Sequence, residues 1–592
     1  MKKHMMKEPL QQVRHSSQLC VIGGGMAGLC AAVAAARHGS KVVLMQDRPV
    51  LGGNASSEIR MWIRGAHGEN MRETGILEEI ALENIYRNPD MNFSVWDSVL
   101  WGIVKKEENI ELLLNCSCLD ARMEGNRIVS VTGWQTTTQR FHTVTAQIFA
   151  DCSGDSILAP LTGAAWRMGR EGTDEFREDI APEESDDKTM GLSCLMQARD
   201  TGRPVSFTPP DWAYSYQEED FRNKIDFSIP DQWQNDNFWW LELGGLVDSI
   251  GDTEELRDEL IRTAYGVWDF IKNKSSLQSA TWELDWMGFL PGKRESRRYE
   301  GDLILNQNDV TAGGKFPDVI AYGGWSMDDH NPAGFLSTEP PTTYHEAPSP
   351  YGIPYRCIYS KNIENLMFAG RNISATHAAL SSTRVMATCG ILGQALGTAA
   401  ALAIREHLTP RQVGQRRIWQ LQQELLDDDC YLPGIRREHS PLMLAAALSG
   451  PGDPVQLIDG YARTAEGEDH SYSLPLGEAV TLTLPGKAYV AWVDIILDSD
   501  LNRETFPEGC HPHWKMYPMR CNIYLNAPRL TVPATLIKKL ELYADGELIG
   551  TLEGNYQRLV HLPVGRTVRS LKLLPLETWG AEQATICELN IR

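Results

Sequence analysis

Apolar and polar positions change their spacing several times along the chain, and those changes divide it. From Leu19 to Ala36 there is no charged residue: a short apolar run (19–23) meets glycines, then an alanine-rich stretch ends at Gly39, and Lys41 to Gln46 forms a second β-branched run. This pattern predicts a strand over 19–23, a glycine turn, a helix over 26–37 and a strand over 41–46. Further on, Ile76, Leu77, Ile80, Leu82 and Ile85 recur at helical spacing. Residues 110 to 155 read as several strands, with a turn at Glu124-Gly125-Asn126 and a last strand from Ala146 to Ala150 that ends at Gly154-Asp155. Between 156 and 354 the periodicity disappears in a stretch rich in tryptophan and proline, too long for a loop and therefore a domain of its own. A buried-type strand at 365–370 and a helix with closely spaced small residues from Val385 show the first fold resuming. Residues 410–426 form an amphipathic helix, and Gly450-Pro451-Gly452-Asp453-Pro454 marks a boundary. Beyond it lie only strands and turns, with Asp545-Gly546 as a hairpin signal, which predicts an antiparallel β-sandwich.

The first uncharged run admits two readings. Lys2, Lys3, Lys7 and Arg14 precede it and an Ala-x-Ala pair lies near its end, as in an export signal. Yet Gly23, Gly24, Gly25 and Gly28 interrupt it after four residues, and alanine gains little from entering lipid. The strand–turn–helix–strand order instead makes Gly23-x-Gly25-x-x-Gly28 a dinucleotide fingerprint in its proper βαβ setting. Gly23 turns the chain, Gly25 admits a pyrophosphate to the backbone, and Gly28 lets helix pack on strand. The helix N-terminus then faces the phosphates.

Charge and cysteine content narrow the partners. A net charge of -22 over 592 residues excludes a nucleic-acid partner, which would need concentrated positive charge. The twelve cysteines are scattered; Cys116 and Cys118 match neither a zinc knuckle nor a redox pair, so no metal cluster and no disulfide framework is expected. A cytoplasmic compartment is the default, with no membrane span and a homo-oligomer left open.

Four stretches carry a family likeness: "VIGGGMAG", "RPVLGGNASSEIRMWIRGAHG", "ADCSGDS" and "NLMFAGRNISATHAALSSTRVMATCGILGQALGTAA". Through them the chain resembles FAD-dependent oxidoreductases with a glutathione-reductase-like nucleotide fold, over roughly residues 18 to 430. The C-terminal region resembles the galactose-binding-like β-sandwich. The resemblance implies an α/β fold with this domain map: a flexible leader over 1–17, the first segment of the FAD-binding domain over 18–155, an inserted substrate domain over 156–354, the second segment of the FAD-binding domain over 355–408, a helical connector over 409–450 and the sandwich over 451–592. It places Gly23, Gly25, Met26, Ala27 and Gly28 at the pyrophosphate. Gln46 stands where the family ends its second strand in an acid for the ribose, with Asp47 next. Gly52, Gly53, Asn54 and Ser57 form the second approach to the cofactor; the backbone at Cys118 brackets adenine. Gly154, Asp155, Gly370 and Arg371 are the strand ends, and Arg384 with Val385 leads into a helix aimed at the flavin pyrimidine.

A flavin supplies hydride chemistry, so the chain must position a substrate and manage a proton. His330, beside Asp328 and Asp329, is the first candidate for general base, against a loop histidine satisfied by backbone. His377 is a candidate for stacking on or bonding the flavin ring, against a structural role. His67 is a third candidate, near the flavin or as a covalent tether. Lys293, Arg294, Arg297 and Arg298 could clamp a carboxylate or sugar acid, or knit a network with Glu295 and Glu300; Arg294 and Arg384 come first. Trp239 or Trp240 could form a stacking wall, against a place in the core. Three functions follow: hydride transfer between flavin N5 and a small polar substrate, a saccharide derivative foremost, with a separate electron acceptor; fumarate-reductase-like chemistry on a carboxylate held by Arg294, Arg297 and Arg384; or a glycan-binding protein with a structural flavin.

Overall fold

The computed structural model describes residues 10–592. Its centre is a five-stranded parallel sheet formed by β1 (Leu19–Ile22), β2 (Val42–Met45), β3 (Ile110–Leu113), β4 (Ile148–Asp151) and β5 (Leu366–Phe368), in the order β5-β4-β1-β2-β3. β1, β2, β4 and β5 are buried at every position, as expected for strands covered on both faces. α1 (Met26–Arg37) follows β1, so the uncharged run at 19–36 is the interior of a βαβ unit. Gly28 is indispensable there: a Cβ on it would collide with the Gly23 carbonyl.

β5 is separated from β4 by more than two hundred residues, yet pairs with it in parallel register, Leu366 opposite Phe149. α2 (Met386–Arg405) then returns to the same core. Its small residues serve helix–helix contact more than helix–sheet contact: Cβ atoms on Gly393 and Gly397 would collide with the Ala27 and Ala31 carbonyls of α1. α2 is long and apolar enough to cross a membrane, but it lies buried in the protein interior.

A second sheet of four strands lies beside the first. Cys116–Glu124, Arg127–Gln135 and Arg140–Thr145 form an antiparallel meander, and Gln11–Ser16 joins its edge parallel to Arg140–Thr145. The leader expected over 1–17 is therefore corrected at residues 11–16: alternating half-buried positions, Val13 and His15, give that stretch a strand partner. Residues 1–9 lie outside the described residues.

The insertion has its own core around Phe221, Trp233, Trp240 and Trp268, organised by a helix at Thr253–Asp269 and the strand pair Met196–Asp200 and Trp282–Met287. Its last stretch behaves differently: Val319–Gly323 and Tyr351–Pro354 pair with each other, and Ile320, Tyr322, Tyr351 and Ile353 belong to the core around α1 and α2. The expected helix over 410–426 is two helices, Pro410–Arg416 and Ile418–Asp427, broken at Arg417.

The C-terminal region is all-β and antiparallel, as expected, and begins slightly earlier, because Ala447–Ser449 already pairs with Thr481–Thr483. Its strands form one continuous hydrogen-bonded sheet. Val480–Leu497 and Leu559–Thr578 run its length, and register shifts between Thr483 and Ala488 and between Val490 and Trp492 bend it around one core. The Asp545-Gly546 hairpin forms, both residues with positive φ. Sequence reading does not anticipate the excursion between Leu497 and Ile537. It leaves the sheet and runs over the rest of the protein: Tyr517 Oη donates to Glu73, Gln197 donates to the Arg520 carbonyl, and Ala198 N–H donates to Asn522.

Candidate functional site

A cavity of about 550 Å³ starts at the carboxyl ends of β1, β2 and β4 and reaches the inserted domain. This is where ligands bind in open parallel sheets, outside the strand ends at a topological switch point. Of the residues expected around the cofactor, Gly23, Gly25, Met26, Ala27, Gln46, Asp47, Gly52, Gly53, Asn54, Cys118, Gly154, Asp155, Gly370, Arg371, Arg384 and Val385 line it. Two do not. Gly28 acts beneath the surface, in the close approach of α1 to β1, and Ser57 is turned away, its N–H bonded to Asp97 at 3.1 Å.

The near end is built from backbone. Gly25 bridges to Gly52, Gly52 N–H donates to the Gly24 carbonyl at 2.8 Å, and a Cβ on Gly53 would sit 3.0 Å from the Gly25 Cα. Gly25 and Val385 are the N-caps of α1 and α2, and neither helix carries a side-chain cap, so two helix N-termini open on one cavity without a resident side-chain acceptor. Free N–H groups at the positive end of a helix are a ready anion site; at α2 the Ala387 N–H is already taken by the Arg64 carbonyl.

Gln46, expected at the ribose, lines the cavity with both ends of its amide already bonded. Its Oε1 accepts from Gly24 N–H at 2.6 Å and its Nε2 donates to the Val50 carbonyl at 3.1 Å, so the amide fastens the glycine turn to the loop that follows. The exposed carboxylate at the rim is Asp47. Asp155 joins three segments: it accepts from Lys293 at 2.8 Å, Ser296 at 2.8 Å and Arg371 at 2.6 Å. Burial alone would raise its carboxyl, but Arg371 and Lys293 hold it below the usual range.

The far end is built from side chains. His330 is buried, with Nδ1 at 2.6 Å from Glu242 and Nε2 at 3.3 Å from Asp328, and its ring meets Trp239 edge to face. Glu242 also pairs with Arg294 at 3.3 Å, and Asp328 with Arg384 at 3.2 Å and the Thr342 hydroxyl at 2.5 Å. Desolvation would raise the Asp328 carboxyl; the neighbouring His330 ring, the charge on Arg384 and the bond from the Thr342 hydroxyl hold it far below the usual range. Arg294, His330 and Arg384 thus meet on one wall, from three distant stretches of the chain.

The other two histidines do not line the cavity. His377 lies between Glu295 at 2.8 Å and Asp329 at 3.0 Å; burial lowers its pKa, but the two carboxylates win and push it up to about 10. It fixes the start of the helix His377–Thr383 and does not reach the cavity, which corrects its proposed flavin contact. His67 is exposed and stacks on Trp325 at 4.3 Å, whose ring is the one at the cavity; a tether through His67 is corrected likewise. Arg297 turns to Trp166 and Arg298 to Glu171, so the imagined four-cation clamp contributes only Lys293 and Arg294. Trp240 is core, whereas Trp239 is wall.

Sequence reading missed Arg48, Trp62, Arg64, Trp325 and Tyr344, all of which line the cavity. Trp62 and Arg64 were within reach, since they belong to the quoted glycine-punctuated stretch that also supplies Gly52 and Gly53. Trp325 and Tyr344 had no local signal.

A family model described as FAD dependent oxidoreductase matches residues 18–425. No curated protein matches the chain. Among solved structures, a geranylgeranyl bacteriochlorophyll reductase-like protein from Thermoplasma acidophilum is 12% identical, covering 70% of this chain and 86% of that one, with a TM-score of 0.31. Glycerol-3-phosphate dehydrogenase from Bacillus halodurans, complexed with FAD, is 15% identical over 33% of this chain and 43% of its own, with a TM-score of 0.20. The family 32 CBM from C. perfringens NanJ, in complex with galactose, is 16% identical over 26% of this chain and 97% of its own, with a TM-score of 0.17.

Proposed function

Because the chain belongs to the FAD dependent oxidoreductase family, we propose that its elongated cavity takes FAD at the glycine-built end and a small polar substrate at the charged end, a saccharide derivative foremost. FAD is the cofactor of the family, and the two helix N-termini without side-chain caps, with the Gly25–Gly53 approach, fit it. When bound, it supplies hydride acceptance or donation. In this reading Gly23, Gly25, Gly52 and Gly53 receive the pyrophosphate, Asp47 the ribose and the backbone near Cys118 the adenine, while the N-terminus of α2 favours negative charge on the ring system.

The remaining steps belong to the far wall. Trp62, Trp239 and Trp325 give flat apolar surfaces suited to the faces of a ring substrate and exclude water around it. Glu242 accepts the Nδ1–H of His330 and so fixes the ring, leaving Nε2 as the atom that exchanges a proton with a substrate hydroxyl. Asp328, kept ionised, stabilises the imidazolium that results. Arg294 and Arg384 orient these two carboxylates. The observation that carries the reading is this continuity: residues of the fingerprint and His330 line one cavity.

The carboxylate-reductase alternative loses the particular clamp expected of Arg294, Arg297 and Arg384, because Arg297 is outside the cavity and the other two already have carboxylate partners. The grouping with glutathione-reductase-type folds rests on the βαβ unit, the returning β5 and α2, and the meander beside them. A reducing, cytoplasmic setting is supported by twelve free cysteines, all but Cys510 buried.

Anaerobic mixing of the FAD-loaded protein with a panel of sugars, sugar acids and unsaturated acids tests the proposal. Bleaching of the flavin by a hydroxyl-bearing donor is expected. If no donor bleaches it, while an unsaturated acid reoxidises the chemically reduced form, the proposal fails.

A further inference from the structure

The far end of the cavity holds three guanidinium groups but only two carboxylates to meet them. Arg294 faces Glu242 and Arg384 faces Asp328. Among the described residues, Arg64 has no carboxylate within 4.0 Å; its side chain donates one hydrogen bond, to the Met516 sulfur at 3.6 Å. Thioether sulfur is a weak acceptor, so most of the five guanidinium donors are unused. The group lies over the rings of Trp62 at 4.7 Å and Trp325 at 5.5 Å, and both rings line the cavity with it. Burial draws its pKa down to about 10, so it stays charged near neutral pH. The guanidinium is half-buried, feels Asp328 without pairing with it, and keeps donors free for an anion in the cavity.

Its surroundings are fixed from two sides. The Arg64 carbonyl accepts the Ala387 N–H at the start of α2, and the Trp62 ring packs against His513 at 4.2 Å with the planes tilted by 30°. Met516 and His513 both belong to the excursion that leaves the C-terminal sheet between Leu497 and Ile537, anchored next to the cavity by Tyr517 on Glu73. The all-β region therefore helps to shape the cavity wall.

We propose that Arg64 is the subsite for a carboxylate on the substrate, held between the Trp62 and Trp325 rings and positioned by the C-terminal excursion. This rests on the far end of the cavity being the substrate end. A planar guanidinium between two rings presents its fork edge, which matches a carboxylate bidentately. Within the saccharide class this selects sugar acids over neutral sugars.

Calorimetric titration of the FAD-loaded protein with malonate, and with malonamide as its neutral counterpart, tests the subsite. One malonate per chain is expected, with malonamide not binding. Arg64→Met should weaken malonate by at least about tenfold, Arg64→Lys should fall between, and Arg122→Met, on an exposed edge, should match the parent. Flavin per chain should stay constant throughout. If Arg64→Met fails to load flavin, Arg64→Lys against malonamide decides alone. Among bleaching donors, Arg64→Met should raise KM for the acid with little change in kcat. Equal binding of malonate and malonamide, or equal malonate affinity in the parent and either Arg64 variant, overturns the subsite. A donor panel that bleaches nothing, with malonate behaving as expected, would instead defeat the proposed reaction.

Discussion

At one end of the cavity the chain offers Gly23, Gly25, Gly52, Gly53 and two helix N-termini; at the other it offers Arg64, Arg294, Arg384, Glu242, Asp328 and His330 among tryptophans. The near end recognises a ligand by letting backbone approach it. The far end holds charged side chains in place through one another. The first construction depends on glycines at four positions within some thirty residues, the second on contacts between residues as far apart in sequence as Arg64 and Met516. Substitutions should therefore fail differently at the two ends.

The largest effect should come from the far end. Glu242→Ala leaves Arg294 and His330 Nδ1 without their shared carboxylate, and we expect a loss of about 3–5 kcal/mol in chemical denaturation. An unchanged midpoint would show that the network is not a structural unit. His377→Ala should cost a similar amount at pH 6, with a characteristic pH dependence. Its folded-state pKa of about 10 lies above that of a free imidazole, so its stabilisation is complete below roughly pH 6.5 and is lost as pH rises through about 10. The gap between parent and variant should therefore close in alkaline buffer; a gap that is constant from pH 6 to 11 contradicts the ion-pair account.

Gly25→Val should do the reverse, sparing stability and removing the ligand. A Cβ there meets only the Gly53 Cα at 3.8 Å and Gly25 has an ordinary negative φ, so the backbone tolerates a side chain at this position. Methyl groups in the mouth of α1 should weaken FAD by about a hundredfold, or about 3 kcal/mol, read as flavin per chain after dialysis. The smallest change is expected from Asp47→Asn, about 1 kcal/mol of FAD affinity, because one exposed carboxylate is weakened by competition with water. Tighter FAD binding in Gln46→Glu than in the parent would return the ribose to Gln46.

The same contrast explains what could be read in advance. The fingerprint, β1, α1, β2 and the return at β5 are legible because each is a local pattern with one physical interpretation, and sixteen of the expected cofactor residues line the cavity. Gln46 is legible by its position at the end of β2, whereas the bonds of its amide to Gly24 and Val50 are not. His330 was legible as a titratable group beside acids, but its main partner, Glu242, is 88 residues away and carries no motif. His377 and His67 look as promising in sequence; only their carboxylate and tryptophan neighbours show that they stand behind the wall. Nothing in the alternating strands of the C-terminal region announces that its excursion reaches Trp62 and Arg64.

The division of labour along the cavity can be measured in one variant, His330→Asn, by counting bound flavin and following its anaerobic bleaching by the best donor. The account predicts one FAD per chain, an unaltered visible spectrum and bleaching slowed by at least about a hundredfold. Bleaching at the parent rate with full flavin content would contradict it.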